Sequence, residues 1–218
     1  MTKIKLGFCV GIVLLKSVFA FRRSGDENIG AISSDHVDSE NNSIYRYGLW
    51  RKWNTDKPMV LVIGCNPSNA NEGVDDSTIQ KLTRLVQNNG FGGFYMGHLY
   101  GYITPHPNVM KERANKLGFD SIIGPENDEV LEEMAACVND VLFTYGDSCV
   151  YWWGRNLRRA RQRANHVRNL INRHNKWTLR LTRNGLGAPR HPLQSPLLPV
   201  NIPWQPFEKY WYKKTRFV

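Results

Sequence analysis

A short, uninterrupted apolar run at residues 59–63, MVLVI, constrains the fold of this chain more than any other feature. A strand without polar positions has to be covered on both faces, as the strands of a parallel sheet are. Three further candidate strands follow, at residues 94–99, 148–153 and 177–182. Helical periodicity fills the gaps, and strand–helix alternation is typical of α/β folds. The sequence therefore predicts a three-layer α/β/α sandwich around a four-stranded, mainly parallel sheet.

Three segments between the candidate strands repeat apolar residues at helical spacing. One spans residues 76–89 and ends before Gly90, a residue type that commonly follows a helix. Pro125 opens the second, and the acids of its first turn suit the positive end of a helix dipole. The third spans residues 156–172. The predicted buried stripes are Ile79, Leu82 and Val86; Val130, Met134, Val138 and Val141; and Leu157, Ala160, Ala164, Val167 and Ile171.

The first forty residues differ in composition from the rest of the chain. Lys3 and Lys5 precede an apolar run at 6–15, and small residues near Ala20 suit a cleavage site, as in a secretory signal. Residues 21–43 are polar and indicate a flexible linker. We expect a signal-like apolar leader at 1–20, this linker at 21–43, one α/β domain at 44–204 and a C-terminal tail at 205–218. The alternative to export is an apolar leader ahead of an intracellular domain.

The residue counts exclude several classes of protein. With 218 residues, 41% of them hydrophobic, the chain can bury one core of ordinary size. Its four cysteines are too few and too scattered for a disulfide scaffold, and no Cys/His spacing indicates zinc or an iron–sulfur cluster. We therefore expect no metal and no cofactor. No apolar stretch is long enough for an ordinary membrane-spanning helix, so we expect no stable membrane anchor. The sequence leaves the oligomeric state open.

Charge is segregated along the chain, which has a formal net charge of +10. Residues 117–150 contain eight acids and neither Lys nor Arg, whereas residues 151–190 contain ten arginines, one lysine and no acid. Such asymmetry favours a phosphate-facing surface, and the arginine fork suits phosphate oxygens or base edges. Two alternatives stay open. The basic residues form a solvated helix face, or the acidic helix neutralises part of them.

The loop after the first predicted strand, residues 64–70, has the composition of a ligand-binding turn. Gly64 allows a sharp turn against a ligand, and Pro67 makes the turn rigid, with Cys65 and Ser68 beside them. Asn66 is then a fixed amide that can orient a water molecule or bind a polar ring. In the structural alternative it bonds only its own backbone. Farther along, Asp75 is either a general base in the site or part of a simple helix cap.

The ends of the other predicted strands supply further candidates, because active residues of parallel sheets lie at the strand carboxyl ends. His98 can read a base edge or act as an acid, and its alternative is a core histidine bonded to backbone. Tyr100 and Trp153 are candidates for stacking on a ring, or cover the sheet. The loop at 182–193 holds His191 between two prolines and adds the arginines Arg183 and Arg190 as phosphate ligands. We interpret this rigid loop as functional.

Five motifs in order resemble domain-of-unknown-function family 1643, a bacterial and phage family. They are YRYGLWR at 45–51, GCNPSNA at 64–70, VDDSTI at 74–79, GPEND at 124–128 and PRHPL at 189–193. The resemblance covers residues 44–204. That family looks like a distant member of the uracil-DNA glycosylase superfamily, whose core is a four-stranded parallel sheet between helices.

The resemblance implies roles for three residues. The loop that contains Asn66 is similar to the glycosylase loop that positions the attacking water. His98 falls where glycosylases usually have an asparagine that reads the base, and His191 resembles the histidine that steadies the departing base. One departure is the last loop, which lacks the serine–proline sequence that typically contacts the DNA backbone and has Arg190-His191-Pro192-Leu193 instead.

These observations predict a nucleobase- or nucleotide-binding domain that acts on nucleic acid. If it is catalytic, the chemistry is N-glycosidic bond cleavage or a related base-processing step, with Asn66, Asp75 and His191 as the catalytic residues. The alternatives are a non-catalytic nucleic-acid-binding module and an exported basic protein that binds an acidic polymer. The family resemblance favours a cytoplasmic location, and the leader favours export.

Overall fold

Seven strands and five α-helices form the structure, a computed structural model that describes residues 28–40, 42–71, 73–174, 177–180, 188–194 and 205–206. The strands are β1 Ile29–Ser33, β2 Arg46–Lys52, β3 Met59–Gly64, β4 Gly93–His98, β5 Asp140–Phe143, β6 Trp177–Arg180 and β7 Gln205–Pro206. The helices are α1 Ser77–Asn88, α2 Pro107–Leu117, α3 Asn127–Ala136, α4 Ser148–Tyr151 and α5 Leu157–Asn172.

All the strands belong to one sheet of order β1-β2-β4-β3-β5-β6-β7. Its middle strands β4, β3, β5 and β6 are parallel to one another, whereas β1, β2 and β7 pair antiparallel at the two edges. Ile63 of β3 stands opposite Gly97 of β4 and Phe143 of β5. The sheet is therefore mixed, with a parallel centre, and the predicted count of four strands is too low.

Strand β3 is covered on both faces, as its apolar composition predicts. Val60 and Val62 lie in a core with Leu82 and Val86 of α1. The alternate residues of β3 point to the other face, where the core includes buried residues of α2, α3 and α5. Helix α1 has the predicted buried stripe of Ile79, Leu82 and Val86, and Asp76 caps it by accepting hydrogen bonds from two backbone amides. The α/β architecture with helices on both faces of the sheet follows.

The strand predicted at residues 148–153 is wrong. Residues Ser148–Tyr151 form the short helix α4, whose backbone amides at Val150 and Tyr151 donate to the Asp147 carbonyl. The sheet takes the shorter segment Asp140–Phe143 as β5 instead. Helix α3 consequently ends at Ala136, so Val138 and Val141 lie outside the helix that we predicted for them. A short apolar run does not by itself distinguish a buried strand from a buried helical turn.

Strand β1 lies within residues 21–43, so the prediction of a flexible linker is wrong for Ile29–Ser33. These residues pair with β2, where Ala31 stands opposite Leu49, and the side chain of Ile32 is buried in the core. The predicted leader at 1–20 and almost all of the tail at 205–218 lie outside the described residues. None of the helices in the described part of the chain is both long and apolar enough to cross a membrane.

The acidic and basic stretches of the sequence pair with each other. Arg163 of α5 is buried; its Nε donates to the Leu99 carbonyl at 2.7 Å, and its Nη1 lies 2.6 Å from Asp128 Oδ1 of α3. Nearer the surface, Arg159 pairs with Asp120 at 2.9 Å. Arg173 pairs with Glu132 at 3.2 Å. Of the alternatives for the charge asymmetry, neutralisation by the acidic helix is the one observed for Arg163 and Arg173, whereas the partner of Arg159 precedes that helix.

We expect Asp128→Asn to lower the free energy of unfolding by about 2 kcal/mol, because it leaves the buried Arg163 guanidinium without a counter-charge. Asp120→Asn is the matched control. It removes an exposed ion pair to Arg159 and should cost less than about 0.5 kcal/mol. Urea denaturation of the two variants measures the difference. Equal losses would contradict a specific contribution from the buried pair.

Candidate functional site

A cavity of about 250 Å³ lies at the carboxyl end of β3. The loop after β3 leads to α1 on one face of the sheet, and the loop after the neighbouring β5 leads to α4 and α5 on the other. Adjacent loops that diverge in this way open a crevice, which is where ligands bind in parallel α/β sheets. We call this space the inner cavity. Six of the site residues predicted from the sequence line it: Gly64, Cys65, Asn66, Ser68, His98 and His191.

Asn66 is held by two backbone carbonyls. Its side-chain Nδ2 donates to the Pro67 carbonyl at 2.9 Å and to the Thr104 carbonyl at 2.7 Å. Pro67 itself is buried, and its carbonyl also accepts a hydrogen bond from the Thr104 amide. The structural alternative, in which Asn66 bonds only to backbone, therefore holds for its side-chain nitrogen. The same bonds fix the amide plane, so that Oδ1 remains as an oriented acceptor at the cavity wall.

His98 ends β4 and packs over Gly64. Its side chain is 3% exposed, and its buried Nδ1 has no hydrogen-bond partner within the described chain. A Cβ at position 64 would lie 3.1 Å from His98 Cδ2 and 2.5 Å from Met96 Cε, so the glycine is needed for this close approach. Burial, and to a lesser extent the nearby Arg46, lowers the pKa of His98 well below its ordinary value. The imidazole is neutral at pH 7.

His191 is held against the end of β5 by its own loop. The amide of Gly146 donates to the Pro189 carbonyl at 2.9 Å, and the Ala188 amide donates to Asp147 at 3.2 Å. The Leu193 amide donates to His191 Nδ1 at 3.3 Å, which assigns the proton of the neutral ring to Nε2. Burial lowers the pKa of His191, and the charge of Asp76 opposes part of that effect.

Sequence reasoning missed two charged residues of the inner cavity, Arg46 and Asp76. Arg46 is the first residue of β2 and only 6% exposed, and burial lowers its pKa to about 10, so it stays cationic at neutral pH. An arginine inside the otherwise apolar stretch YRYGLW was the available signal. Asp76 also caps helix α1.

Three predicted site residues, Asp75, Tyr100 and Trp153, do not line the inner cavity. Asp75 Oδ1 accepts from Nε and Nη2 of Arg51 at 2.8 and 2.7 Å, so the carboxylate proposed as a base is held in an ion pair outside this cavity. Tyr100 is fully buried, and its hydroxyl donates to the Cys149 carbonyl. Trp153 donates from Nε1 to the same carbonyl and packs against Tyr100, and it also lines a separate cavity of about 330 Å³ together with Cys65 and Asn66. Both rings stabilise the fold and do not line the inner cavity.

The two predicted phosphate ligands are not part of the cavity wall as the structure describes it. Arg183 lies outside the described residues. Arg190 is half-buried in the loop beside His191, and the described lining of the inner cavity does not include it. Among the residues that the structure describes, no cluster of three or more His, Cys, Asp or Glu side chains could hold a metal ion.

Burial of His98 predicts a pH-dependent stability. The unfolded chain takes up a proton near pH 6.5, the ordinary histidine pKa, whereas the folded chain does so only at a much lower pH. The free energy of unfolding should therefore fall as the pH drops below about 6.5, by up to about 1.4 kcal/mol per pH unit. Urea titrations between pH 7 and 5 measure this slope, which His98→Asn should reduce. The exposed His106 is the control, and an equal reduction by His106→Asn would contradict the assignment.

The site residues lie within a stretch that matches a known family. The model of the family described as Protein of unknown function (DUF1643) matches residues 46–193. A comparison with curated proteins found no match, and neither did a comparison with solved structures. The family match covers more than half of the chain and includes Asn66, His98 and His191. The chain therefore belongs to the DUF1643 family of proteins of unknown function.

Proposed function

We propose that this chain binds a nucleobase in the inner cavity and cleaves the N-glycosidic bond between base and sugar, with nucleic acid as the source of the base. One observation carries the proposal. Asn66, His98 and His191 come from separate parts of the chain and line the same cavity. An amide and two neutral imidazoles offer both donors and acceptors, which the polar edge of a base requires. The resemblance to uracil-DNA glycosylases, with a core of parallel strands between helices, supports the same reading.

The size and apolar contacts of the inner cavity suit a single planar ring system. Its volume of about 250 Å³ is below the range of about 300–1,000 Å³ for drug-sized ligands. Ile79 and Met96 also line it and supply apolar contact for ring faces. They replace Tyr100 and Trp153, which are buried in the core, in that role. A base inside a duplex has to be flipped out before it can enter such a cavity.

In the proposed reaction, water attacks the anomeric carbon as the bond to the base breaks. Asn66 Oδ1 accepts a hydrogen bond from this water and orients its oxygen. The electron pair of the broken C–N bond passes to the base, and the Nε2–H of His191 stabilises the negative charge that develops there. The proton released by the water ends on the departing base. Asp75 takes no part, because it is paired with Arg51.

His98 is proposed to read the base. Its Nδ1 is buried without a partner in the described chain, and such a group is costly unless a ligand completes its hydrogen bond. As a neutral ring, it donates from one nitrogen and accepts at the other, so that its tautomer decides which base edge it recognises. The close packing of this ring over Gly64 limits its movement.

The rival hypotheses have less support from the described residues. A non-catalytic nucleic-acid-binding module and an exported protein that binds an acidic polymer both depend on the arginine-rich stretch. Arg159, Arg163 and Arg173 of that stretch are paired with acids of the same chain. Paired arginines contribute little to a surface that attracts anions. The cavity therefore remains the better basis for a function.

The test is to incubate the protein with oligonucleotides that contain uracil or hypoxanthine and to measure abasic sites by alkaline cleavage. We expect release of at least one base by the wild-type chain. Asn66→Ala and His191→Ala should each slow single-turnover cleavage by about 100-fold or more, because each removes a group that acts in the transition state. His174→Ala is the matched control. His174 lies between α5 and the start of β6, at the amino ends of the parallel strands and away from the inner cavity.

Free bases should also bind the wild-type chain in ligand-detected NMR. Binding without cleavage would retain the base-binding part of the proposal and overturn the hydrolytic part. Neither binding nor cleavage would overturn both. Variants at Asn66 and His191 that cleave as fast as His174→Ala would overturn the roles assigned to these two residues.

A further inference from the structure

A second cavity of about 630 Å³ adjoins the inner one. Arg46, Ser68 and Ala70 line both spaces, so that Arg46 lies at the boundary between them. We call this second space the outer cavity. Hydroxyl and amide side chains dominate its described lining: Ser33, Asn42, Ser43, Ser68, Asn69 and Asn71. Arg46 is the one charged side chain among the described residues that line it.

Two arginines of the same strand have different surroundings. Arg51 is fully engaged: its guanidinium donates to Asp75, to the Trp50 carbonyl and to the Asn71 carbonyl. Arg46 is equally buried, yet its Nε has no hydrogen-bond partner, and no carboxylate of the described chain forms an ion pair with it. Asp76 raises the pKa of Arg46 through its charge, but from beyond ion-pair distance.

A buried cation with no acid at ion-pair distance is costly, and none of the described contacts of the Arg46 guanidinium offsets this cost. Such a group is expected where a ligand supplies the missing charge. The planar guanidinium fork matches the oxygens of a phosphate, and serine and asparagine side chains are common additional ligands of phosphate and sugar. The outer cavity combines these features and, among its described lining residues, has no acid that would repel an anion.

We propose that Arg46 binds the phosphate of a nucleotide whose base occupies the inner cavity and whose sugar and phosphate occupy the outer cavity. This assignment rests on the proposed function for the identity of the base site. It adds the substrate class: a phosphorylated nucleoside, as a free nucleotide or within a strand, in preference to a free base or an unphosphorylated nucleoside. Arg46 holds the substrate and does not act on the reacting bond.

The experiment measures binding of 2′-deoxyuridine, its 5′-monophosphate and orthophosphate to the full chain by calorimetry. The wild-type chain should bind the monophosphate at least 10-fold more tightly than the nucleoside, and added salt should reduce this ratio. In Arg46→Met, the ratio of monophosphate affinity to nucleoside affinity should fall close to one, and orthophosphate binding should be lost. The affinity for the nucleoside should change less than twofold. Arg158→Met, at an exposed arginine of α5, is the matched control and should retain the wild-type ratio.

A thermal melt separates ligand binding from a structural role. Arg46→Met should melt at the wild-type temperature or above it, because the change removes an uncompensated buried charge. Should it fail to fold, Arg46→Lys keeps the charge without the fork, and a reduced ratio supports the same conclusion. A short oligonucleotide as a further probe distinguishes a phosphodiester from a free phosphate as the preferred source.

Two results would overturn the assignment: equal affinity of the wild-type chain for nucleoside and monophosphate with no orthophosphate binding, or an unchanged ratio in Arg46→Met. Orthophosphate binding that is lost in Arg46→Met, in a chain that binds no base or nucleoside, would leave the phosphate site intact. In that case the proposed function would fail and the role of Arg46 would not.

Discussion

The structure depends on the burial of β3 on all sides. Hydrogen bonds to β4 and β5 cover its two edges, and helices cover both of its faces. Gly64 ends this strand opposite His98, and two residues later Asn66 reaches two backbone carbonyls. This buried strand therefore ends directly at the inner cavity. A rigid support of this kind is what a positioned amide requires.

Electrostatics divides the arginines of the chain into two groups with different physical roles. Arginines in or directly after α5 pair with Asp120, Asp128 and Glu132, and these ion pairs connect α5 to other segments on the same face of the sheet. Arg46 lies between two cavities and has no such partner among the described residues. A net charge of +10 does not distinguish the groups, since it counts a neutralised guanidinium and an unneutralised one alike. The informative quantity is whether a buried charge has a counter-charge.

The predicted elements that proved correct share one property, a strong local signal. Strand β3 has an unbroken apolar run, and α1 has a complete cap, stripe and terminating glycine. Strand β5 has only a few residues, and its sequence does not differ in kind from the neighbouring apolar run that became α4. Strand β1 was missed because its polar neighbours dominate the composition of that segment.

The sequence alone determined the local features: a strand buried on both faces, the capped helix α1 and the two prolines that flank His191. Local spacing and backbone preferences act over a few residues, so they can be read from the chain without its partners. Only the tertiary structure decided that His191 and His98 share a cavity with Asn66. It also decided that Asp75 forms an ion pair with Arg51 and that Tyr100 lies in the core. These outcomes depend on which groups lose their water together, and desolvation is a property of the packed molecule rather than of any segment of it.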